Sequence, residues 1–246
     1  MTTTKAKPVE KKLAAKKGKK EAVTLINFLL DKSGSMGSVL DTTISGFNEY
    51  LQTQQAEPGK TLFSLTTFDT QFQSVHVAKP ITEVAPLNRG TYRPGGMTAL
   101  YDALAETLTR VEDRVTAAGK DKADVVLFVV MTDGEENASH EYTADSIKPM
   151  VERAEKELGY TFVFLGANQN VWAAGSKMGI GKGNILDYSG AYKSGNLDGT
   201  FQNLSQSTTR LRSVAVDCLL SGDDTAYQAT RQAFWDGDKK KGGPKK

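Results

Sequence analysis

Three observations predict an α/β fold: a doubly wound, mostly parallel sheet with one antiparallel edge strand and helices on both faces. First, near-continuous apolar runs recur at 23–30, 124–131 and 160–165, as in parallel strands covered on both sides. Second, apolar residues at helical spacing fill the segments between those runs. Third, small polar residues and glycines follow the carboxyl ends of the strands, where sheets of this architecture bind their ligands.

The elements follow in order. Val23–Leu30 is the first strand. Leu40, Ile44, Phe47 and Leu51 form a helical stripe that Pro58-Gly59 ends. Thr61–Phe68 reads as a strand, and Phe72–Val77 returns after a tight Asp69-Thr70 turn as the antiparallel edge. Residues 80–97, rich in Pro and Gly, read as a loop. Leu100, Leu104, Leu108, Val111 and Val115 mark a second helix from about Ala99, and Asp124–Met131 is the clearest central strand. Ile147, Val151, Ala154 and Leu158 mark a third helix closed by Gly159. A start at Asp145 or Ser146 would put Pro149 in its first turn, where the missing N–H costs nothing. Tyr160–Leu165 is a strand, Val171–Met178 a short helix, and Asn184–Tyr188 a weak last strand. Leu197, Phe201, Leu204 and Leu211 suggest a final long helix, and Ala226–Trp235 a small terminal one.

Charge is unevenly distributed. Residues 1–21 carry eight Lys against two Glu, or +6, and residues 236–246 carry five Lys against two Asp, or +3. Since the whole chain is +2, residues 22–235 hold −7. The expected organisation is a disordered Lys-rich tail over 1–21, one domain over 22–221, and a short helix with a basic tail over 222–246. The tails are either solubilising extensions or arms for nucleic acid or another polyanion; no aromatic residue interleaves the first 21, which argues against base stacking. The single cysteine, Cys218, excludes an internal disulfide framework and fits a reducing, cytoplasmic setting. No apolar run is long enough to span a membrane, and no secretory signal is expected.

Three pieces of sequence carry chemistry. Asp31, Ser33 and Ser35 follow the first strand; Gly95-Gly96-Met97-Thr98 leads into the second helix; Asp133-Gly134 ends the central strand. Together they supply two carboxylates and three hydroxyls, all hard oxygen donors at one sheet edge. Mg²⁺ takes such donors octahedrally and keeps several waters. Hydroxyls from Ser33, Ser35 and Thr98 can coordinate without cancelling the metal charge, while Asp31 and Asp133 act directly or through water. Each piece alone has a plainer reading, as turn formers or, for Thr98, as a helix N-cap. Their conjunction in order favours the metal site.

The pattern resembles the von Willebrand factor A (vWA) family, a Rossmann-like fold, and its metal-ion-dependent adhesion site. The family's Asp-x-Ser-x-Ser, loop Thr and strand-end Asp correspond to Asp31, Ser33, Ser35, Thr98 and Asp133, over roughly residues 22–221. The local style of Ser33–Met36, Gly95–Leu100 and Thr132–Gly134 is that of bacterial or bacteriophage members. The resemblance implies a non-enzymatic binding module. Its Mg²⁺, or Mn²⁺, keeps an open position for the acidic side chain of a protein partner. Adaptor work for an AAA+ ATPase, as in several intracellular members, or polyanion binding through the tails are the alternatives.

Enzyme readings fare worse. A phosphoaspartyl nucleophile at Asp31 needs a second carboxylate two residues on, where Ser33 stands. Gly179–Gly183 lacks the hydroxyl of a P-loop and precedes a strand, unlike a dinucleotide fingerprint. His76 and His140 read as surface residues with no zinc-site partners. Glu135, Glu136 and Asn137 lie beside the site, as shapers of partner choice or as solvated residues. Asn168–Asn170 read as a cap for the following helix, Trp172 and Trp235 as packing anchors, and Cys218 as a small core residue.

Overall fold

The computed structural model describes residues 22–119, 123–168 and 170–235; the tails expected at 1–21 and 236–246 lie outside the described residues. Six strands form one sheet in the order β3-β2-β1-β4-β5-β6. They are β1 (Val23–Asp31), β2 (Lys60–Phe68), β3 (Phe72–Pro80), β4 (Val125–Thr132), β5 (Thr161–Gly166) and β6 (Ile185–Asp187). All neighbours pair in parallel except β2 with β3. The central strands β1 and β4 are buried along their whole length, which explains why they read as unbroken apolar runs rather than alternating ones.

Alternation reappears in which face each residue serves. Ile26, Phe28 and Leu30 of β1, with Leu127, Val129 and Met131 of β4, enter one core layer; Leu25 and Leu29, with Val126, Phe128 and Val130, enter the other. The first layer lies under α1 (Leu40–Ala56), α6 (Asp198–Ser221) and α7 (Thr225–Gln232). The second lies under α2 (Leu100–Ala118), α3 (Ala144–Glu157) and α4 (Val171–Lys177). Four short elements were not legible in the sequence: 3-10 turns at Gly34–Val39, which feeds α1, at Ile81–Glu83 and at Lys182–Asn184, and α5 (Ser189–Ser194) after β6. All are too short for a periodic signal.

Several expectations need correction. The edge strand β3 runs three residues past Val77, because Ala78 adopts a left-handed φ of 45° and donates its N–H to Ser64 Oγ, letting Lys79 and Pro80 re-pair with β2. Helix α3 begins earlier than expected: Thr143 caps it reciprocally with Ser146. Pro149 therefore sits in the second turn and removes a helical hydrogen bond. Cys218 is half-buried rather than in the core, and its neighbours Leu219 and Leu220 are exposed. Trp172 is exposed too, whereas Trp235 packs edge-on against Phe234 in the first core layer.

Helices α1 and α6 meet without side-chain padding at Gly46. A Cβ there would lie 2.1 Å from Phe201 Cδ2, and Phe201 is fully buried. Beyond this contact, Arg212 of α6 ties the end of α1 to β2 through Gln54 Oε1, the Pro58 carbonyl and Thr61 Oγ1. Gly46→Ala should destabilise the fold by about 1–3 kcal/mol in urea unfolding, overpacking outweighing its gain in helix propensity.

At the N-terminal end of β5, Arg231 of α7 donates to Thr161 Oγ1 and to the Glu155 carbonyl. The Glu155 carboxyl beside it is pushed up to about 7 by burial, with Arg231 opposing. A carboxyl raised in the folded state holds its proton where the unfolded chain has lost its own. Its stabilising contribution is complete below the unfolded value of 4.5 and fades as pH rises to about 7. The unfolding free energy should fall across that window by roughly 1–2 kcal/mol, allowing for partial solvent screening. Glu155→Gln should flatten this decline.

Candidate metal-binding site at the sheet edge

The register of the sheet builds the site. Leu30 pairs with Met131 across β1 and β4, so Asp31 and Asp133 leave adjacent strand ends on the same edge. Both are buried, at 0% and 1% exposure. Asp31 Oδ1 accepts from the Ser33 N–H at 2.6 Å, and Oδ2 from Thr132 Oγ1 at 2.6 Å. Burial nevertheless pushes the Asp31 carboxyl up to about 6, those hydrogen bonds pulling the other way and the charge of Asp133 adding to the rise.

The hydroxyls gather on this pair. Ser33 Oγ and Ser35 Oγ lie 3.2 Å apart, and Ser35 Oγ donates to Asp133 Oδ1 at 2.7 Å. Thr98 Oγ1 and Ser35 Oγ both lie within 4 Å of where a Cβ on Gly134 would sit, at 3.6 and 3.8 Å. All five residues singled out in the sequence, Asp31, Ser33, Ser35, Thr98 and Asp133, are thus brought to one place. Among the described residues no three His, Cys, Asp or Glu side chains cluster as ligands for a metal ion. The donor set is two carboxylates and three neutral hydroxyls.

Thr98 is not the cap of α2. Ala99 holds the N-cap position and no side chain caps it. The free N–H groups of the first turn go instead to the loop after β4: Tyr101 N to Glu136 Oε2 and Asp102 N to Ser139 Oγ. Asn137 Oδ1 accepts from the Thr98 N–H at 2.9 Å, while Asn137 N and Ala138 N donate to the Thr98 carbonyl. Asn137, though exposed, therefore clamps the Thr98 backbone, Glu136 takes the Tyr101 N–H in the first turn of α2, and the Thr98 hydroxyl stays available. Glu135 is exposed beside them.

Other positioning residues gave weaker sequence signals. Tyr92, inside the long loop, donates to the Asp31 carbonyl at 2.5 Å. The turn between β2 and β3 braces the Thr98 loop: Asp69 O accepts from Ala99 N and Thr70 Oγ1 accepts from Met97 N. Gly96 is needed there, with φ of 72° and Thr70 Oγ1 2.8 Å from a would-be Cβ. Lys32, the cation nearest in sequence, pairs with Asp69. After β5, Asn170 caps α4 through Ala173 N, while Asn168 takes a left-handed φ of 55°.

Two buried carboxylates held side by side fit a cation. Asp133 Oδ2 has no hydrogen-bond partner although it is buried, a costly arrangement for a carboxylate oxygen unless positive charge or water meets it. Thr132→Val should strip Asp31 of one of its two close donors and destabilise the fold by about 1–2 kcal/mol, measurable by urea unfolding in EDTA.

The von Willebrand factor type A domain model matches residues 26–206. No curated protein matches the chain. Among solved structures, proximal thread matrix protein 1 from the mussel byssus superposes with a TM-score of 0.53 at 16% identity, covering 78% of this chain and 46% of that one. The PilB minor pilin from Streptococcus sanguinis gives 0.52 at 14% identity, covering 77% and 62%. The vWF domain of the type V pili tip protein Mfa5 from Porphyromonas gingivalis gives 0.50 at 11%, covering 78% and 96%. This chain thus spans less than two thirds of the mussel and PilB chains, and at such identities the likeness is one of fold. The family model covers most of the chain and the sheet has the expected order of parallel strands with one antiparallel edge: the chain belongs to the von Willebrand factor type A domain family.

Proposed function

We propose that the protein is a non-enzymatic, Mg²⁺-dependent protein-binding module, of adhesion or adaptor type, that captures an acidic side chain of its partner. The observation that carries this reading is the buried Asp31–Asp133 pair ringed by the hydroxyls of Ser33, Ser35 and Thr98, with Asp133 Oδ2 left without a hydrogen-bond partner. These five residues would hold the ion, and Mn²⁺ suits the same oxygen donors. When bound, the cation supplies an electrophilic position that a carboxylate can complete.

The chain's own residues prepare that position. Asp31 is fixed by Thr132 and the Ser33 N–H, so its charge is preorganised. Ser33, Ser35 and Thr98 donate oxygen without negative charge, which leaves more of a divalent charge for the partner. The segment 22–235 carries −7, so an acidic partner would otherwise be repelled. Against catalysis, neither Ser33 nor Ser35 has a histidine among its hydrogen-bond partners, as an activated serine nucleophile would need. The fold relatives include a byssal matrix protein and pilins, named for assemblies rather than reactions.

Calorimetric titration with MgCl₂ should give one site per chain. Saturation at a hundred times the dissociation constant should raise stability by about 2.7 kcal/mol, and Asp31→Ala should remove both effects. Proteins retained in Mg²⁺ and released by EDTA can then be identified by mass spectrometry. Retention that survives both EDTA and Asp31→Ala would refute the metal-dependent reading.

A further inference from the structure

Helix α5 has no buried residue, yet one of its side chains reaches the site. Tyr192, partly buried against the first core layer, donates its hydroxyl proton to the Ser35 carbonyl at 3.0 Å and accepts from Ser38 Oγ at 2.8 Å. Its ring packs edge-on to Tyr188 with centroids 6.5 Å apart. Tyr188 is 2% exposed and shares that core layer with Met36 and Met131, and its N–H donates to the Gly166 carbonyl at the end of β5 at 2.9 Å. The Tyr192 phenol is thus held against a residue anchored in the sheet, not by the exposed helix alone.

The residue it reaches needs a brace from outside. Ser35 is exposed in the 3-10 turn Gly34–Val39, with Ser33 and Met36 buried on either side. The ordinary local fastening of such a turn is absent: Ser33 holds the N-cap position, but its side chain makes no capping hydrogen bond. The Ser33 hydroxyl lies instead 3.2 Å from Ser35 Oγ, within the donor set. Capping would commit that hydroxyl to a backbone N–H. A bond to the Ser35 carbonyl from elsewhere in the chain fixes the turn and leaves both serine hydroxyls at the site. The two oxygens of Ser35 accordingly have separate tasks: the carbonyl accepts from Tyr192, and Oγ donates to Asp133 Oδ1 at 2.7 Å.

We propose that Tyr192 is a positioning residue for Ser35: its hydroxyl, bonded to the Ser35 carbonyl, holds the Ser35 side chain where its oxygen joins Asp133 around a divalent cation. This rests on the metal-site reading above. A phenol suits the task. It is neutral, so it adds no positive charge to compete with the metal, and it acts on the backbone of a ligand as outer-shell partners do. It takes no lone pair from Ser35 Oγ. The bond spans 157 positions of chain. It therefore makes the placement of α5, between β6 and α6, a condition for the placement of a ligand.

The test compares the full chain with Tyr192→Phe and Ser38→Ala in calorimetric titrations with MgCl₂ and MnCl₂, alongside melting in EDTA. Phe keeps the ring that meets Tyr188 and removes one oxygen at a partly exposed position, so its melting temperature in EDTA should stay within about 2 °C of the wild type. Metal affinity should fall about tenfold in Tyr192→Phe and stay within about twofold in Ser38→Ala, which leaves the Tyr192–Ser35 bond in place. Metal binding by the wild type with undiminished affinity in Tyr192→Phe would overturn the assignment alone. So would an affinity loss matched by a lower melting temperature in EDTA, which would mark a packing role. An equal loss in Ser38→Ala would also overturn it, marking a general loosening of the turn. No metal binding by the wild type would overturn the metal-site reading and this assignment with it.

Discussion

The parallel pairing of β1 with β4 is the constraint on which the site depends. Its register sets Leu30 against Met131, and the next residues out of the sheet are Asp31 on one strand and Thr132-Asp133 on the other. Both strands are buried along their length, so a one-residue slip would exchange the residues of the two core layers. The apolar packing that stabilises the sheet therefore also fixes two carboxylates beside each other. A carboxylate buried there is unfavourable, and the raised pKa of Asp31 records mainly its desolvation, with the charge of Asp133 adding to it.

Around that pair, the loops behave as a braced assembly. The Thr98 loop is held from one side by Asn137 and Ala138 after β4, and from the other by Asp69 and Thr70 between β2 and β3. The Ser35 turn is held by Tyr192 from α5. Five separate stretches of chain thus converge through short polar contacts to backbone groups. Such bracing leaves the serine and threonine hydroxyls of the site with little other work, the condition a preorganised binding site requires.

Much of the fold was legible because long elements carry strong periodic signals. The runs at 23–30 and 124–131 were identifiable as buried strands, and the stripes of α1, α2 and α6 as helices, since each repeats its apolar residues over several turns. The five residues that meet at the sheet edge were singled out for a different reason: Asp, Ser, Thr and Gly stood at strand ends and a helix start in the order of one motif. Short or irregular pieces escaped. Helix α5 has six residues and no periodic face, the extension of β3 depends on a left-handed alanine, and the start of α3 was decided by a Thr143–Ser146 cap rather than by the placement of Pro149.

By itself the sequence determined the class of the sheet, the identity of the oxygen donors and their chemical hardness, because these follow from local pattern and residue type. Only the tertiary structure decided which groups those donors lean on. Glu136 and Asn137 read equally well as solvated residues until the open N–H groups of α2 and Thr98 were seen to need acceptors. Tyr92 and Tyr192 lie 61 and 161 positions after Asp31, and nothing local to them signals a role at its edge. Their placement arises from strand order and core packing, which are long-range, so no window of sequence around either residue could have shown it.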